Sequence, residues 1–227
     1  MDGREERFRD RAEAGDRLGE RLAAMGLPRP GVVVGLARGG VSVAVRVATK
    51  LALPLDVLTV RKLGVPGHEE LAFGAIATGG HRVLNAHVLD RSGLDATTID
   101  RECEAQRLIL ERRERDYRAG RLPLDLESRS AILVDDGLAT GATMAVAIDA
   151  ARALGATHVS VAVPVGAPES CAAMAARADQ VVCLLQPEAF YAVGEWYDAF
   201  PEVSDDEVRA ALRTAVDEVG RDGPARS

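Results

Sequence analysis

The sequence predicts an α/β protein built on a doubly wound, mainly parallel five-stranded sheet, with a projecting hairpin and a small accessory lobe. Two observations lead there. Five short runs, Val32–Ala37, Leu55–Val60, Ala131–Asp136, His158–Val165 and Gln180–Leu185, are almost continuously apolar, as strands buried on both faces are. Longer amphipathic or Ala-rich stretches, Gly40–Leu51, Ala96–Arg118, Gly141–Leu154 and Pro168–Arg177, alternate with those runs and read as helices. A length of 227 residues suits one such domain, spanning 1–227, with the accessory lobe contributed by about 1–28 and 186–227. Aromatic residues make up only 4% of the chain, so the core must come mainly from Ala, Val and Leu.

Three pieces fall outside the alternation. A helix is expected over Arg4–Met25, stopped near Gly26 with Pro28 and Pro30 beyond it. Leu71–Ala77 and His81–Leu84 flank a Thr-Gly-Gly turn and read as a hairpin leaving the sheet. Gln186–Val203 concentrates aromatics and acids, and a last helix begins near Ser204, with fraying expected from Arg221.

Composition narrows the function. A net charge of −7 argues against a nucleic-acid-coating protein, which needs a basic face. Cys103, Cys171 and Cys183 are scattered, without CxxC spacing, so neither a disulfide framework nor a zinc site is expected. The N-terminal stretch is too charged for a signal peptide, and no apolar run is long enough to span a membrane. A cytoplasmic protein with no membrane partner is the expectation.

The chemistry is concentrated in Ala131–Thr143, where an apolar strand delivers Asp135 and Asp136, then Gly137, Leu138 and Ala139, then Thr140-Gly141-Ala142-Thr143 opening a helix. A helix N-terminus offers free N–H groups and the positive end of the dipole to a phosphate. The threonine hydroxyls can donate to the same anion. Two adjacent carboxylates repel phosphate, and suit ribose hydroxyls or a Mg²⁺ shell instead. The stretch lacks the Gly-Lys-Ser/Thr step of a P-loop and the GxGxxG of a dinucleotide site.

This segment, Asp135-Asp-Gly-Leu-Ala-Thr-Gly-Ala-Thr143, resembles the binding motif for 5-phosphoribosyl 1-pyrophosphate (PRPP) in type I phosphoribosyltransferases. The resemblance implies that the acids hold the ribose while Gly137–Thr143 cradle the 5-phosphate. It implies a pyrophosphate loop, often with a cis peptide, at Ala37, Arg38, Gly39 and Gly40, a segment that reads equally well as a plain turn. Arg61 and Lys62 would then be cations for the leaving group, though two cations past a strand are also simply solvated. If the strands run in the order 2-1-3-4-5, the first and third are neighbours and the site lies at the switch point.

The resemblance further implies a Mg-dependent transfer of the phosphoribosyl group to a nitrogen acceptor, with Asp135 and Asp136 near the metal and Lys62, Arg61 and both acids as the catalytic set. Leu63–Gly80 is similar to the family's mobile loop, and His68, Glu69 and Glu70 are groups that closure would deliver. Phe190-Tyr-Ala-Val-Gly-Glu-Trp-Tyr-Asp198 resembles a hood over the acceptor, with Phe190, Tyr191 and Trp196 as its contacts. Aromatics that only pin the lobe to the core read equally well. The residue before Thr140 is Ala139, where 6-oxopurine enzymes carry Asp, so a hypoxanthine or guanine acceptor is in doubt. The partners implied are PRPP and a small acceptor, with a homodimer left open. A PRPP-sensing module without turnover is the competing class, and a non-nucleobase acceptor is a variant of the first.

Overall fold

The computed structural model of the chain describes residues 6–118 and 122–221, without side chains at 69, 70 and 215–221. Five parallel strands form the main sheet: β1 (Gly31–Leu36), β2 (Leu55–Leu58), β6 (Ser130–Val134), β7 (His158–Val165) and β8 (Gln180–Leu185), in the order β2-β1-β6-β7-β8. This 2-1-3-4-5 order meets the condition under which the first and third core strands are neighbours. β1 and β6 are buried throughout, which explains their unbroken apolar runs.

Helices cover both faces. On one side α1 (Arg11–Met25), α2 (Gly39–Leu51) and α7 (Asp205–Arg221) pack Leu18, Val43, Val47 and Val208 against Val33, Ile132 and Val134. On the other, α5 (Ala142–Ala153) and α6 (Pro168–Ala175) place Met144, Ala147 and Met174 against Val34, Leu133 and Val161. α1 starts at Arg11 rather than Arg4, because the Asp10 carboxylate caps the turn by accepting the Glu13 N–H at 2.8 Å. Residues 1–5 lie outside the described part.

The expected hairpin is larger than the sequence suggested. β2 stops at Leu58, and the chain passes into a second, antiparallel sheet of β3 (Val60–Val65), β4 (His68–Ala77) and β5 (Arg82–Leu84). The segment read as a loop, Leu63–Gly80, is therefore mostly paired strand. The reason is a core of its own: Leu63, Val65, Phe73 and Ile76 are buried against Cys103 and Leu110 of α4 (Ala96–Arg118). A short α3 (Ala86–Ser92), begun by the Asn85 cap, was not foreseen.

α4 returns to the main sheet at its last turn. There the buried Arg118 donates to Asp56 Oδ1 (3.2 Å) and to the Val57 carbonyl (3.0 Å) on β2. Such a pair is costly to break from one side, because the remaining charge stays desolvated. The hairpin core is thus clamped at one end by α4 and joined to the sheet through Thr59, whose N–H donates to Thr78 Oγ1 at 2.9 Å.

Because this core is separate from the main one, Phe73→Ala should destabilise locally. Truncating a buried Phe costs roughly 3–5 kcal/mol where the site cannot collapse. Hydrogen exchange should accelerate in β3 and β4 while β1, β6 and β7 keep their protection. Uniform acceleration would mean that the hairpin and the main sheet unfold as one unit.

Candidate active site at the β1 and β6 strand ends

The neighbouring strands β1 and β6 deliver two loops to the same edge of the sheet. After β1, Ala37 and Arg38 are joined by a cis peptide, and Gly39 opens α2. After β6, Asp135 and Asp136 precede the loop that enters α5 at Gly141. The two meet closely. A Cβ on Gly39 would lie 1.9 Å from Asp136 Oδ2, so only glycine allows the contact.

The acid pair is strongly constrained. Burial, and then the charge of Asp136, push the Asp135 carboxyl well above the usual carboxylate range. The Asp135 Oδ1 also accepts the Asp136 N–H at 2.9 Å. Asp136 is held by Arg11, whose Nε donates to its Oδ2 at 2.8 Å, both side chains being mostly buried. The Tyr197 hydroxyl donates to the Asp136 carbonyl at 2.6 Å.

The residues of the loop 137–143 divide by environment. Leu138 is buried, its N–H donating to the Val165 carbonyl (2.9 Å) and its carbonyl accepting the Ala167 N–H (2.9 Å). It anchors the loop, with its side chain and both backbone polar groups turned into the protein. Ala139 and Thr140 are exposed, and the Ala139 carbonyl is held by the Ser170 hydroxyl. Among the described residues the N–H groups of Ala139, Thr140 and Gly141 have no backbone partner, and they stand with exposed Thr143 at the N-terminus of α5. Ala142 N–H is turned toward Thr140 Oγ1 at 3.4 Å.

Arg61 and Lys62 part company, since successive residues of a strand face opposite ways. The Arg61 Nε donates to Gln106 Oε1 of α4 at 2.8 Å, and burial followed by nearby Arg113 lowers its pKa. Lys62 is exposed on the other face. It lines a cleft of about 550 Å³ between the hairpin and α5, shared with Thr143, Val60, Ala75 and Val146. Arg38 pairs with Glu202. His68 is exposed at the start of β4, while the side chains of Glu69 and Glu70 lie outside the described ones.

The hood closes over the β7 and β8 ends. Phe8 pairs with Tyr197 in a single bridge, and Phe8, Trp196 and Tyr197 are buried together with Val165. Gly137 makes room for this lobe, because a Cβ there would lie 2.4 Å from Val193 Cγ1. Phe190 packs partly buried against the cluster, whereas Tyr191 is 84% exposed. Trp196 thus lies inside the clasp rather than on an open stacking face.

Arg11 has no place among the sequence-based expectations, whereas Tyr197 and Val193 fall within the aromatic segment 190–198, without the contacts to Asp136 and Gly137 that the structure gives them. A signal existed for Arg11, which continues the buried stripe of Ala14, Leu18 and Leu22 on α1 where another apolar residue would be expected. Among the described residues, no three His, Cys, Asp or Glu side chains converge as a metal site.

Residues 28–195 match the family model described as the phosphoribosyl transferase domain. The chain is 50% identical over 208 residues to the Mycobacterium tuberculosis proteins MT0597 and Rv0571c, both named for phosphoribosyl transferase. That match covers 92% of this chain and 47% of each relative, so the chain spans about half their length. The crystal structure of TT1426 from Thermus thermophilus is similar with 46% identity and a TM-score of 0.79, over 91% of this chain and 97% of that one. With its strand order, its two converging loops and these matches, the chain belongs to the type I phosphoribosyltransferase family.

Proposed function

We propose that the protein transfers the 5-phosphoribosyl group of PRPP to a nitrogen acceptor, releasing pyrophosphate. The observation that carries this is the meeting of the Ala37–Gly40 loop with the Asp135–Thr143 loop at adjacent strand ends. Ala139, Thr140, Gly141 and Thr143 hold the 5-phosphate at the α5 N-terminus. Asp135 and Asp136 receive the ribose hydroxyls. Gly39 and Gly40, at the start of α2, turn their N–H groups to the pyrophosphate.

The C1–oxygen bond to pyrophosphate breaks as the acceptor nitrogen bonds to C1, and the acceptor's proton leaves to solvent or base. Positive charge gathers on the ribose while negative charge gathers on the leaving group. The protein's task is to fix both and to exclude water. Lys62 is the cation we assign to the leaving pyrophosphate; Arg61 reaches it only by leaving Gln106. Phe190 and Tyr191 are the hood residues assigned to the acceptor, with Trp196 supporting them from inside the clasp.

Mg²⁺ fits this site as a ligand-borne ion. It needs only one or two carboxylates beside substrate oxygens, and a cation would relieve the burial and the Asp136 charge that raise the Asp135 carboxyl. Bound there, it would neutralise charge on the leaving group. Three free cysteines fit a reducing, cytoplasmic setting, and no helix among the described residues is long and apolar enough to cross a membrane.

The test is PRPP-dependent pyrophosphate release, with Mg²⁺, screened across nucleobases and amines. Release with one acceptor class is expected. PRPP binding without release from any acceptor would leave a PRPP-binding module. Lys62→Ala should lower release about 10- to 100-fold, as for loss of a charged hydrogen bond worth roughly 1.5–3 kcal/mol. It should leave ribose 5-phosphate affinity unchanged, since that ligand has no pyrophosphate. Equal losses would make Lys62 a support of the hairpin.

The acid pair predicts a conflict between stability and binding. Asp135→Asn removes a charge that burial and Asp136 both oppose, while its amide oxygen can still accept the Asp136 N–H. The unliganded variant should therefore melt higher than the wild type at pH 7, yet bind ribose 5-phosphate more weakly. A lower Tm would show that the carboxylate contributes to folding.

A further inference from the structure

An arginine on the buried stripe of a helix requires partners, because an unpaired guanidinium is expensive to desolvate. Arg11 has them on three sides. Nε donates to Asp136 Oδ2 at 2.8 Å, Nη1 donates to the Pro201 carbonyl at 2.7 Å, and the guanidinium stacks 3.7 Å over the Phe200 ring. Phe200 in turn stacks on Tyr197, with ring centroids 4.9 Å apart, and Tyr197 holds the Asp136 main chain. Asp136 is gripped at both ends by the hood and α1, at the point where its carboxylate touches Gly39.

We propose that Arg11 is a positioning residue for the ribose. Its planar fork fixes the Asp136 carboxylate in the orientation that receives the ribose hydroxyls, and makes that orientation depend on the hood being seated on α1. The inference rests on the function proposed above and adds a residue to it. A lysine would not serve equally, because one ammonium cannot hold Asp136 and Pro201 in a fixed plane while stacking on Phe200.

A purely structural clasp and a positioning residue differ in which ligand they affect. Inorganic phosphate is held by the α5 N-terminus without Asp136, whereas ribose 5-phosphate needs both. Calorimetric titration of each into the wild type and Arg11→Met, below the melting temperature of both, separates the two roles. We expect ribose 5-phosphate affinity to fall about tenfold or more, phosphate affinity to change less than about twofold, and Arg11→Lys to recover part of the loss. Unchanged ribose 5-phosphate affinity, or equal losses for the two ligands, would overturn the inference.

Arg11→Met leaves Asp136 unpaired and can fail to fold. In that event Phe200→Leu decides, because it removes the stacking plate but keeps the ion pair. A selective loss for ribose 5-phosphate, severalfold, supports the positioning role, and unchanged affinity overturns it. A wild type that binds phosphate but no ribose 5-phosphate would refute the proposed function itself, an outcome visible before any variant is compared.

Discussion

The site depends on one close approach, that of the Asp136 carboxylate to the backbone of Gly39. It is possible because β1 and β6 are hydrogen-bonded neighbours whose following helices lie on opposite faces of the sheet, which opens a crevice between the two strand ends. Into that crevice one strand brings two acids and the other a loop without side chains at its tightest point. The two acids then lie against the N-terminus of α2, with Gly39 beside Asp136 and Gly40 beside Asp135. The hood takes its place through a second approach, of Val193 to Gly137.

Adjacent carboxylates at the end of a buried strand are not a stable arrangement by themselves. Burial and mutual repulsion push Asp135 up, and the compensation comes from Arg11, which is itself buried only because Pro201 and Phe200 complete its environment. The clasp of Phe8, Trp196, Tyr197 and Phe200 therefore does more than cover the β7 and β8 ends. It sets the electrostatics of the acids. Tyr197 shows the same coupling, since burial and then the nearby Asp136 raise the pKa of its hydroxyl and keep it a donor.

Much of this was legible in the sequence, and the parts that were not share a cause. The five strands and the strand–loop–helix of Asp135–Thr143 follow from local patterning, which is where sequence speaks most directly, whereas the strand order pairs segments about a hundred residues apart and entered only as a condition. Leu138, an apolar residue in an otherwise polar motif, marks its own burial. Arg11 and Asp136 are 125 residues apart, so their pairing has no local signature beyond a charge on an apolar stripe. Arg61 and Lys62 look like one basic unit until they are placed on a strand, whose pleat sends one to α4 and the other to the cleft. Glycines in Leu63–Gly80 suggested a loop, but the core under Phe73 outweighs their weak strand preference. The aromatic cluster was visible, yet its division into buried Trp196 and exposed Tyr191 is decided by packing against Phe8 and Val165.

If the two loops form one ligand site, backbone hydrogen exchange with and without PRPP and Mg²⁺ reports on both at once. PRPP should slow exchange at residues 37–41 and at residues 136–143 together, over the same concentration range. Protection confined to one loop, or absent from both while PRPP binds elsewhere, would contradict a single site.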